Sequence, residues 1–175
     1  GGAEVMEYVG IPTIAAISQA IDALDEVEGL GKMQIVLMGG IRDGVDAVKG
    51  LCLGANAVAM GTAVIIAGGC IACMQCHVGQ CVTGIATQDP HHEKRYNPVS
   101  EARNIHRFLE ATRWQIAALT QALGYSSVTE LNRDDLVAVT PDAAEMTGLP
   151  YAPEYRSREQ TLRTVSYTHL RAPRD

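Results

Sequence analysis

Apolar residues recur with a helical period near the start of the chain. They follow Pro12 and Thr13 at spacings of three and four: Ile14, Ile17, Ile21 and Leu24. This spacing places them on one helical face, and proline is favoured where a helix opens. The pattern predicts an amphipathic helix over residues 12–27.

Two short, continuous apolar runs follow, and each ends on glycine. The run 33–38 leads into Gly39-Gly40, and the run 57–60 leads into Gly61. Short apolar runs bounded by glycines are typical of buried strands. A helical pattern over 44–53, closed by Gly54, lies between them, and another helix is predicted from Thr62 to Ala67. This βαβα order predicts parallel strands joined by crossover helices.

The second half of the chain has a helical pattern of its own. Residues 89–98 are polar and predicted to form turns, and Ser100 is predicted to cap a long helix that Gly124 ends. Its apolar face is predicted to contain Ile105, Phe108, Leu109, Thr112, Ile116, Leu119 and Leu123. A short helix around 128–131 and a proline-rich extension are predicted to follow.

Charge and composition exclude some classes of function. The chain has a formal net charge of −6, with 47% hydrophobic residues, and no basic run. Nucleic acid is therefore a poor candidate partner. No apolar run reaches the roughly 18 residues of a membrane span, and no secretory leader is recognisable. The sequence predicts a globular, cytoplasmic protein that does not contact membranes.

The glycine loops after the predicted strands are candidates for phosphate binding. The first loop is residues 39–44, and the second is Gly61-Thr62. Glycine lets backbone N–H groups approach a phosphate closely, and a helix N-terminus favours its charge. Arg42 and the Thr62 hydroxyl could complete the site.

Four of the five cysteines lie between positions 70 and 81: Cys70, Cys73, Cys76 and Cys81. In a cytoplasmic protein, such a cluster indicates metal or redox chemistry rather than disulfides. Soft thiolates suit an iron–sulfur cluster, and the spacing of Cys70, Cys76 and Cys81 would allow three of them to surround one. A zinc site is the alternative, although structural zinc usually takes two separated ligand pairs. Cys52, on a predicted helix face, is interpreted as a small core residue.

The segment 39–62 resembles the phosphate-binding end of FMN-dependent (β/α)8 barrel enzymes, which include α-hydroxy acid oxidases, IMP dehydrogenases and glutamate synthases. The resemblance implies that the FMN phosphate is bound by these residues: Gly39, Gly40, Arg42, Gly61 and Thr62. Many α-hydroxy acid oxidases have aspartate before the paired glycines, whereas this chain has Met38. That difference favours the other branches.

The cysteine segment is similar to the 3Fe-4S motif of glutamate synthases, including the Cys76-His77 pair and the trailing residues 84–88. This resemblance implies that Cys70, Cys76 and Cys81 are the iron ligands and that Cys73 is free. A 4Fe-4S cluster that includes Cys73 is the alternative. The additional cysteine and the His91-His92 pair look more like the archaeal-type, free-standing synthase subunits.

The resemblance also implies an organisation for the chain. A complete barrel needs about 250 residues, so these 175 residues are predicted to contain its C-terminal portion in residues 1–69. An iron–sulfur cysteine loop over 70–98 and a helical extension over 99–164 would follow. Residues 165–175 resemble translated sequencing adapter and are interpreted as a non-native tail.

The implied reaction is the reductive formation of L-glutamate from 2-oxoglutarate and glutamine-derived ammonia. A glutaminase domain or subunit would supply the ammonia, and a NAD(P)H-dependent reductase subunit or ferredoxin would supply electrons. The resemblance places the 2-oxoglutarate contacts mainly in earlier barrel segments and assigns no catalytic residue here. Because the front of the barrel is missing, the chain alone is expected to be inactive. The alternative is another FMN-dependent (β/α)8 oxidoreductase with an iron–sulfur cluster.

Overall fold

The computed structural model describes residues 9–153, and its first half alternates helices with strands. The elements are helix α1 (Thr13–Glu26), strand β1 (Val36–Met38), helix α2 (Gly44–Cys52), strand β2 (Ala57–Ala59) and helix α3 (Thr62–Ala67). The two strands pair in parallel, with Val36 opposite Ala57 and Met38 opposite Ala59. The α/β class and the parallel pairing are confirmed, and the arrangement is compatible with part of a (β/α)8 barrel.

The strands are shorter and more exposed than predicted. β1 begins at Val36 rather than Met33, and only Leu37 is buried, while Val36 and Met38 are 61% and 72% exposed. Alternate residues of a strand face opposite sides of the sheet. Within residues 9–153, one face of β1 packs on the core and the other is uncovered, so the prediction of a fully buried strand is wrong here.

The core lies between the sheet and its helices. It consists of the buried residues Ile17, Leu37, Ile41, Ala47, Leu53 and Ala55. A second cluster joins Val48 and Cys52 of α2 to Leu131. Burial raises the pKa of the Cys52 thiol to about 11, which agrees with its predicted role as a small core residue.

The polar segment after the cysteines contains a short helix that the sequence pattern did not predict. Helix α4 (Pro90–Glu93) begins after Asp89, whose side chain accepts a hydrogen bond from the backbone N–H of His91. Proline at the first helical position and aspartate at the cap favour this local turn. Because its residues are polar, apolar periodicity does not predict it.

The long helix α5 (Pro98–Ala122) begins earlier than predicted. The predicted cap at Ser100 is wrong, because the side chain of Asn97 accepts hydrogen bonds from the backbone N–H groups of Val99 and Ser100. Asparagine in an extended conformation, followed by proline at the first helical position, is a strong start signal. The predicted end is close to that observed, since Gly124 follows the last turn with a φ of 89°.

The remaining chain folds back on the first half. Residues 128–130 form a 3-10 helix rather than an α-helix, and a second 3-10 helix follows at Arg133–Asp135. Helix α6 (Pro141–Thr147), capped by Thr140, lies within the helical extension predicted over 99–164, and it contacts α1. The predicted tail over 165–175 lies outside the described residues. Among the described helices, none combines the length and the apolar character that a membrane span requires.

Candidate functional site

A pocket of ≈ 720 Å³ opens at the carboxyl ends of β1 and β2. All five residues predicted to bind phosphate line it: Gly39, Gly40, Arg42, Gly61 and Thr62. They come together because parallel strands present their following loops at the same edge of the sheet. The structure therefore joins the two glycine loops, which are separate in the sequence, around one cavity.

The glycines leave space that a side chain would fill. A Cβ at Gly40 or Gly61 would meet no atom within 4 Å, whereas one at Gly39 would lie 2.9 Å from the Thr13 hydroxyl oxygen. Gly39 and Gly40 also adopt φ values of 124° and 70°, which favour glycine. The bare backbone at the pocket fits a ligand that approaches it closely, such as a phosphate.

The first turn of α2 already has acceptors inside the protein. The Asp43 side chain accepts hydrogen bonds from the N–H groups of Val45 and Asp46. The N–H of Gly44 donates to Oε1 of Gln115 at 2.9 Å. By contrast, no side chain caps the first turn of α3, whose N-cap is Gly61. The helix N-terminus with open donors at this pocket is therefore that of α3 rather than α2.

Arg42 lines the pocket, but its guanidinium group is paired with α2. Its Nε lies 2.8 Å from Oδ2 of Asp46, with the Arg42 side chain 79% and the Asp46 side chain 15% exposed. The Arg42 hydrogen bond holds the pKa of Asp46 below its ordinary value. To contact a ligand, the Arg42 guanidinium would have to bind it while still paired with Asp46, or break that pair.

Helix α5 supplies a residue to the pocket that sequence reasoning did not assign to the site. Phe108 was predicted only as part of an apolar helix face, yet its side chain lines the pocket beside Ile66 and Ala67. Gln115, on the same helix, contacts the first glycine loop through Gly44. No local signal identifies these residues, since their roles depend on how α5 packs against the sheet.

The cysteines lie along the loop that follows α3. Cys81 is buried, and Cys70, Cys73 and Cys76 are half-buried. Within residues 9–153, no three His, Cys, Asp or Glu side chains are close enough together to hold one metal ion. The thiols therefore form a suitable donor set by chemistry, with soft sulfur ligands on one short segment, but they do not converge on a point.

Two cysteines have local polar partners. The sulfur of Cys70 accepts a hydrogen bond from the backbone N–H of Ala72 at 3.3 Å. The sulfur of Cys81 lies 3.4 Å from the Thr83 hydroxyl oxygen. The hydrogen bond with Thr83 lowers the pKa of the Cys81 thiol to about 7. The lowered pKa of Cys81 favours its thiolate, which is the form that binds metals.

The backbone around Cys73 has an uncommon conformation. Ala72 and Met74 adopt positive φ values of 54° and 59°. Residues with a side chain rarely enter this left-handed region, which costs roughly 1–2 kcal/mol. Such positions concentrate at binding sites, so this segment is a candidate site on backbone grounds as well.

The end of the cysteine loop is fixed by the chain that follows it. The Thr87 hydroxyl donates to the carbonyl of Gly79, and Nη1 of Arg95 donates to the carbonyl of Val82 at 3.2 Å. Nδ1 of His92 lies 2.9 Å from the carboxylate of Asp89. These contacts hold Cys81 between two anchored segments.

Comparison with known proteins identifies one family. The family described as "Conserved region in glutamate synthase" matches residues 1–126. The match includes both glycine loops, the four clustered cysteines and all of α5.

Several curated proteins are similar to the chain. A glutamate synthase large subunit-like protein of Rhizobium meliloti is 36% identical over 84% of this chain. An archaeal-type glutamate synthase (NADPH) of Thermotoga neapolitana is 41% identical over 76% of it, and an archaeal glutamate synthase (NADPH) of Methanocaldococcus jannaschii is 39% identical over 85%. The matched regions span 37%, 27% and 30% of these three relatives.

Proposed function

Since the chain belongs to the glutamate synthase family, we propose that it forms the part of an FMN- and iron–sulfur-dependent glutamate synthase that binds the flavin phosphate and the cluster. The complete enzyme would be an oxidoreductase that makes L-glutamate from 2-oxoglutarate and glutamine-derived ammonia. One observation carries the proposal: both glycine loops meet at a single pocket at the carboxyl ends of the parallel strands.

The pocket residues would bind the FMN phosphate through different groups. Backbone N–H groups at Gly39, Gly40 and the start of α3 would donate hydrogen bonds to it, since glycine leaves them accessible. The Thr62 hydroxyl would add another donor. Arg42 would contribute positive charge while its pairing with Asp46 limits its motion. Bound FMN supplies hydride transfer to a substrate carbon.

The cysteine loop would hold a 3Fe-4S cluster through Cys70, Cys76 and Cys81, with Cys73 free. The loop would have to bring these thiols together, and the low pKa of Cys81 would favour its thiolate. The bound cluster supplies one-electron transfer toward the flavin. A 4Fe-4S cluster that includes Cys73 remains the alternative.

The position of the loop supports an electron-transfer role. Cys70 follows α3, whose first residue, Thr62, lies at the phosphate pocket. Ala67, the last residue of α3, also lines the pocket, so Cys70 lies only three residues along the chain from the pocket wall. The two cofactors would be neighbours.

The remaining components come from outside this segment. A glutaminase domain or subunit would release ammonia from glutamine, and the substrate contacts would lie elsewhere in the barrel. A NAD(P)H-dependent reductase subunit or ferredoxin would supply electrons. We favour NADPH as their source, because two of the relatives above carry it in their names.

An absorption spectrum and an activity assay of the complete protein test this proposal. We expect flavin and iron–sulfur bands, and formation of L-glutamate from 2-oxoglutarate and glutamine with an electron donor. A colourless protein would overturn the proposal. Both sets of bands without glutamate formation would instead favour another FMN-dependent barrel oxidoreductase with a cluster.

Substitution of Gly61 tests the pocket itself. Gly61 has a φ of −107°, and a Cβ there would meet no atom within 4 Å, so a side chain would enter open space without straining the backbone. We expect Gly61→Leu to fold normally and to weaken FMN binding at least about tenfold. Ala102→Leu, on the exposed surface of α5, is the control. Undiminished FMN binding by Gly61→Leu would place the phosphate elsewhere.

A further inference from the structure

We propose that Gln115 is a positioning residue for FMN binding. From α5, its side-chain amide would hold the start of α2, and through it the first glycine loop, in the conformation that shapes the phosphate pocket. The inference rests on the proposed function, because it assumes that this pocket binds FMN.

The contact between Gln115 and Gly44 joins distant parts of the sequence. Oε1 of Gln115 accepts a hydrogen bond from the N–H of Gly44 at 2.9 Å. Gly44 is buried and is the first residue of α2. The first N–H groups of a helix have no partner within the helix, so an external acceptor is needed when they are buried. Gln115 meets that need for Gly44.

Helix α5 approaches α2 so closely that only glycine fits at position 44. A Cβ at Gly44 would lie 2.6 Å from both the Cβ of Gln115 and the carbonyl oxygen of Thr112. Thr112 is buried, and the next residue on this face, Ile116, packs against both hydrophobic clusters. The acceptor is therefore presented from a helix that the core holds in place.

The same helix also forms part of the pocket wall. Phe108 lies two turns before Gln115 on α5, and it lines the pocket with the two glycine loops. Hence α5 lines the pocket directly through Phe108 and contacts the start of α2 through Gln115. Because Asp43 binds only the N–H groups of Val45 and Asp46, Gln115 is the described acceptor for Gly44.

Gln115→Met in the complete protein tests the assignment, because methionine has a similar shape but lacks the amide oxygen. We expect FMN to bind about tenfold more weakly to the apoprotein, measured by quenching of flavin fluorescence. Hydrogen exchange of the Gly44 amide should accelerate, and Gln115→Glu, which retains an acceptor oxygen, should restore its protection. Gln121→Met, at an exposed position on the same helix, should change neither quantity.

The outcomes separate this inference from the proposed function. If the wild-type protein binds no FMN, the proposed function fails and the inference fails with it. If the wild type binds FMN and Gln115→Met binds it equally well, the positioning role alone is overturned. Unchanged Gly44 exchange in Gln115→Met would overturn the hydrogen bond itself. Should Gln115→Met not fold, Gln115→Asn, whose amide is too short to reach Gly44, carries the same expectations.

Discussion

Arg42 and Asp46 show how a single pair of side chains can order the first glycine loop. The Asp46 carboxylate accepts hydrogen bonds from the backbone N–H and the guanidinium of Arg42, at 3.2 and 2.8 Å. One carboxylate on α2 therefore holds both the main chain and the side chain of the loop. An exposed ion pair contributes little to stability by itself, so its effect is mainly on conformation.

Arg42→Met should raise the pKa of Asp46 toward its ordinary value of 3.8, because the Arg42 hydrogen bond is the largest cause of the lowered pKa. A carboxylate with a lowered pKa in the folded state stabilises the protein above its unfolded pKa, and that contribution is lost as pH falls through the folded value. The stability difference between wild type and variant should therefore be present above about pH 4 and shrink below it.

Carboxyl titration by NMR measures the pKa of Asp46. Denaturant unfolding at several pH values measures the stability difference between wild type and variant. Arg113→Met is the control, since Arg113 pairs with Glu110 on α5. An Asp46 pKa that stays low without Arg42 would contradict the prediction.

Cys73 is predicted to be dispensable for the cluster. Cys73→Ser should retain iron, whereas Cys70→Ser, Cys76→Ser and Cys81→Ser should each lose it and disconnect the flavin from its electron donor. Iron content and electron paramagnetic resonance of the oxidised protein measure this, since an oxidised three-iron cluster is paramagnetic and the usual oxidised four-iron cluster is silent. A silent spectrum, with cluster loss in Cys73→Ser, would assign a four-iron site instead.

At the scale of elements, the start of α5 depends on Asn97. Oδ1 of Asn97 accepts hydrogen bonds from the N–H groups of Val99 and Ser100 at 3.1 and 3.2 Å. Ser100, the cap expected from the sequence, lies inside the first turn and donates its hydroxyl to the carbonyl of Asn97. Substitutions at these two positions therefore provide a matched pair for measuring how much the cap contributes to stability.

Asn97→Ala should lower the free energy of unfolding by about 1 kcal/mol, because it leaves first-turn N–H groups without their acceptor. Ser100→Ala should lower the free energy of unfolding clearly less, since the Ser100 hydroxyl does not cap the helix. Denaturant unfolding of both variants in the complete protein measures the difference. Equal losses, or a larger loss for Ser100→Ala, would contradict the assignment of the cap.

Local patterns predicted the elements that local interactions determine. The apolar spacing from Ile14 to Leu24 predicted α1, and the alternation of apolar runs with glycines predicted β1, α2, β2 and α3 in order. Helix α4 was missed because its residues are polar, and α6 falls within the predicted helical extension but was not predicted as a separate helix. Strong caps at Asp89 and Thr140 explain both helices.

The candidate site was predictable only in part, for a related reason. The five pocket residues follow strands, and strand order alone brings their loops to one edge. The contributions of Phe108 and Gln115 depend on the packing of α5, which no short pattern in the sequence specifies. The left-handed conformations of Ala72 and Met74 were likewise unpredictable, since neither residue type favours them.

For the whole molecule, the described structure leaves one face of its sheet uncovered. The sheet has two strands, and its uncovered face presents Val36 and Met38 to solvent. A two-stranded sheet has little stability of its own, and unpaired strand edges invite association with other chains. The stability of the pocket beside these strands therefore depends on the part of the protein that covers this face of the sheet.

The 175-residue chain alone is predicted to make no glutamate and to bind FMN more weakly than the complete protein. It spans 27% to 37% of the relatives compared, and a barrel enzyme draws its site from several strands. Glutamate formation and FMN titration, measured side by side for both proteins, check this. Glutamate formation by the isolated chain would contradict it.

Helix α5 touches both candidate cofactor regions, near Cys70 and at the start of α2. The Glu101 carboxylate lies 3.2 Å from where a Cβ on Gly69 would be, next to Cys70, and Gln115 reaches Gly44. Each residue of a helix turns the chain by about 100°. A one-residue insertion between Glu101 and Gln115 would therefore rotate one contact away from its partner, although exposed side chains along the same stretch could change freely. Evolution can vary the composition of this segment, but its length is constrained.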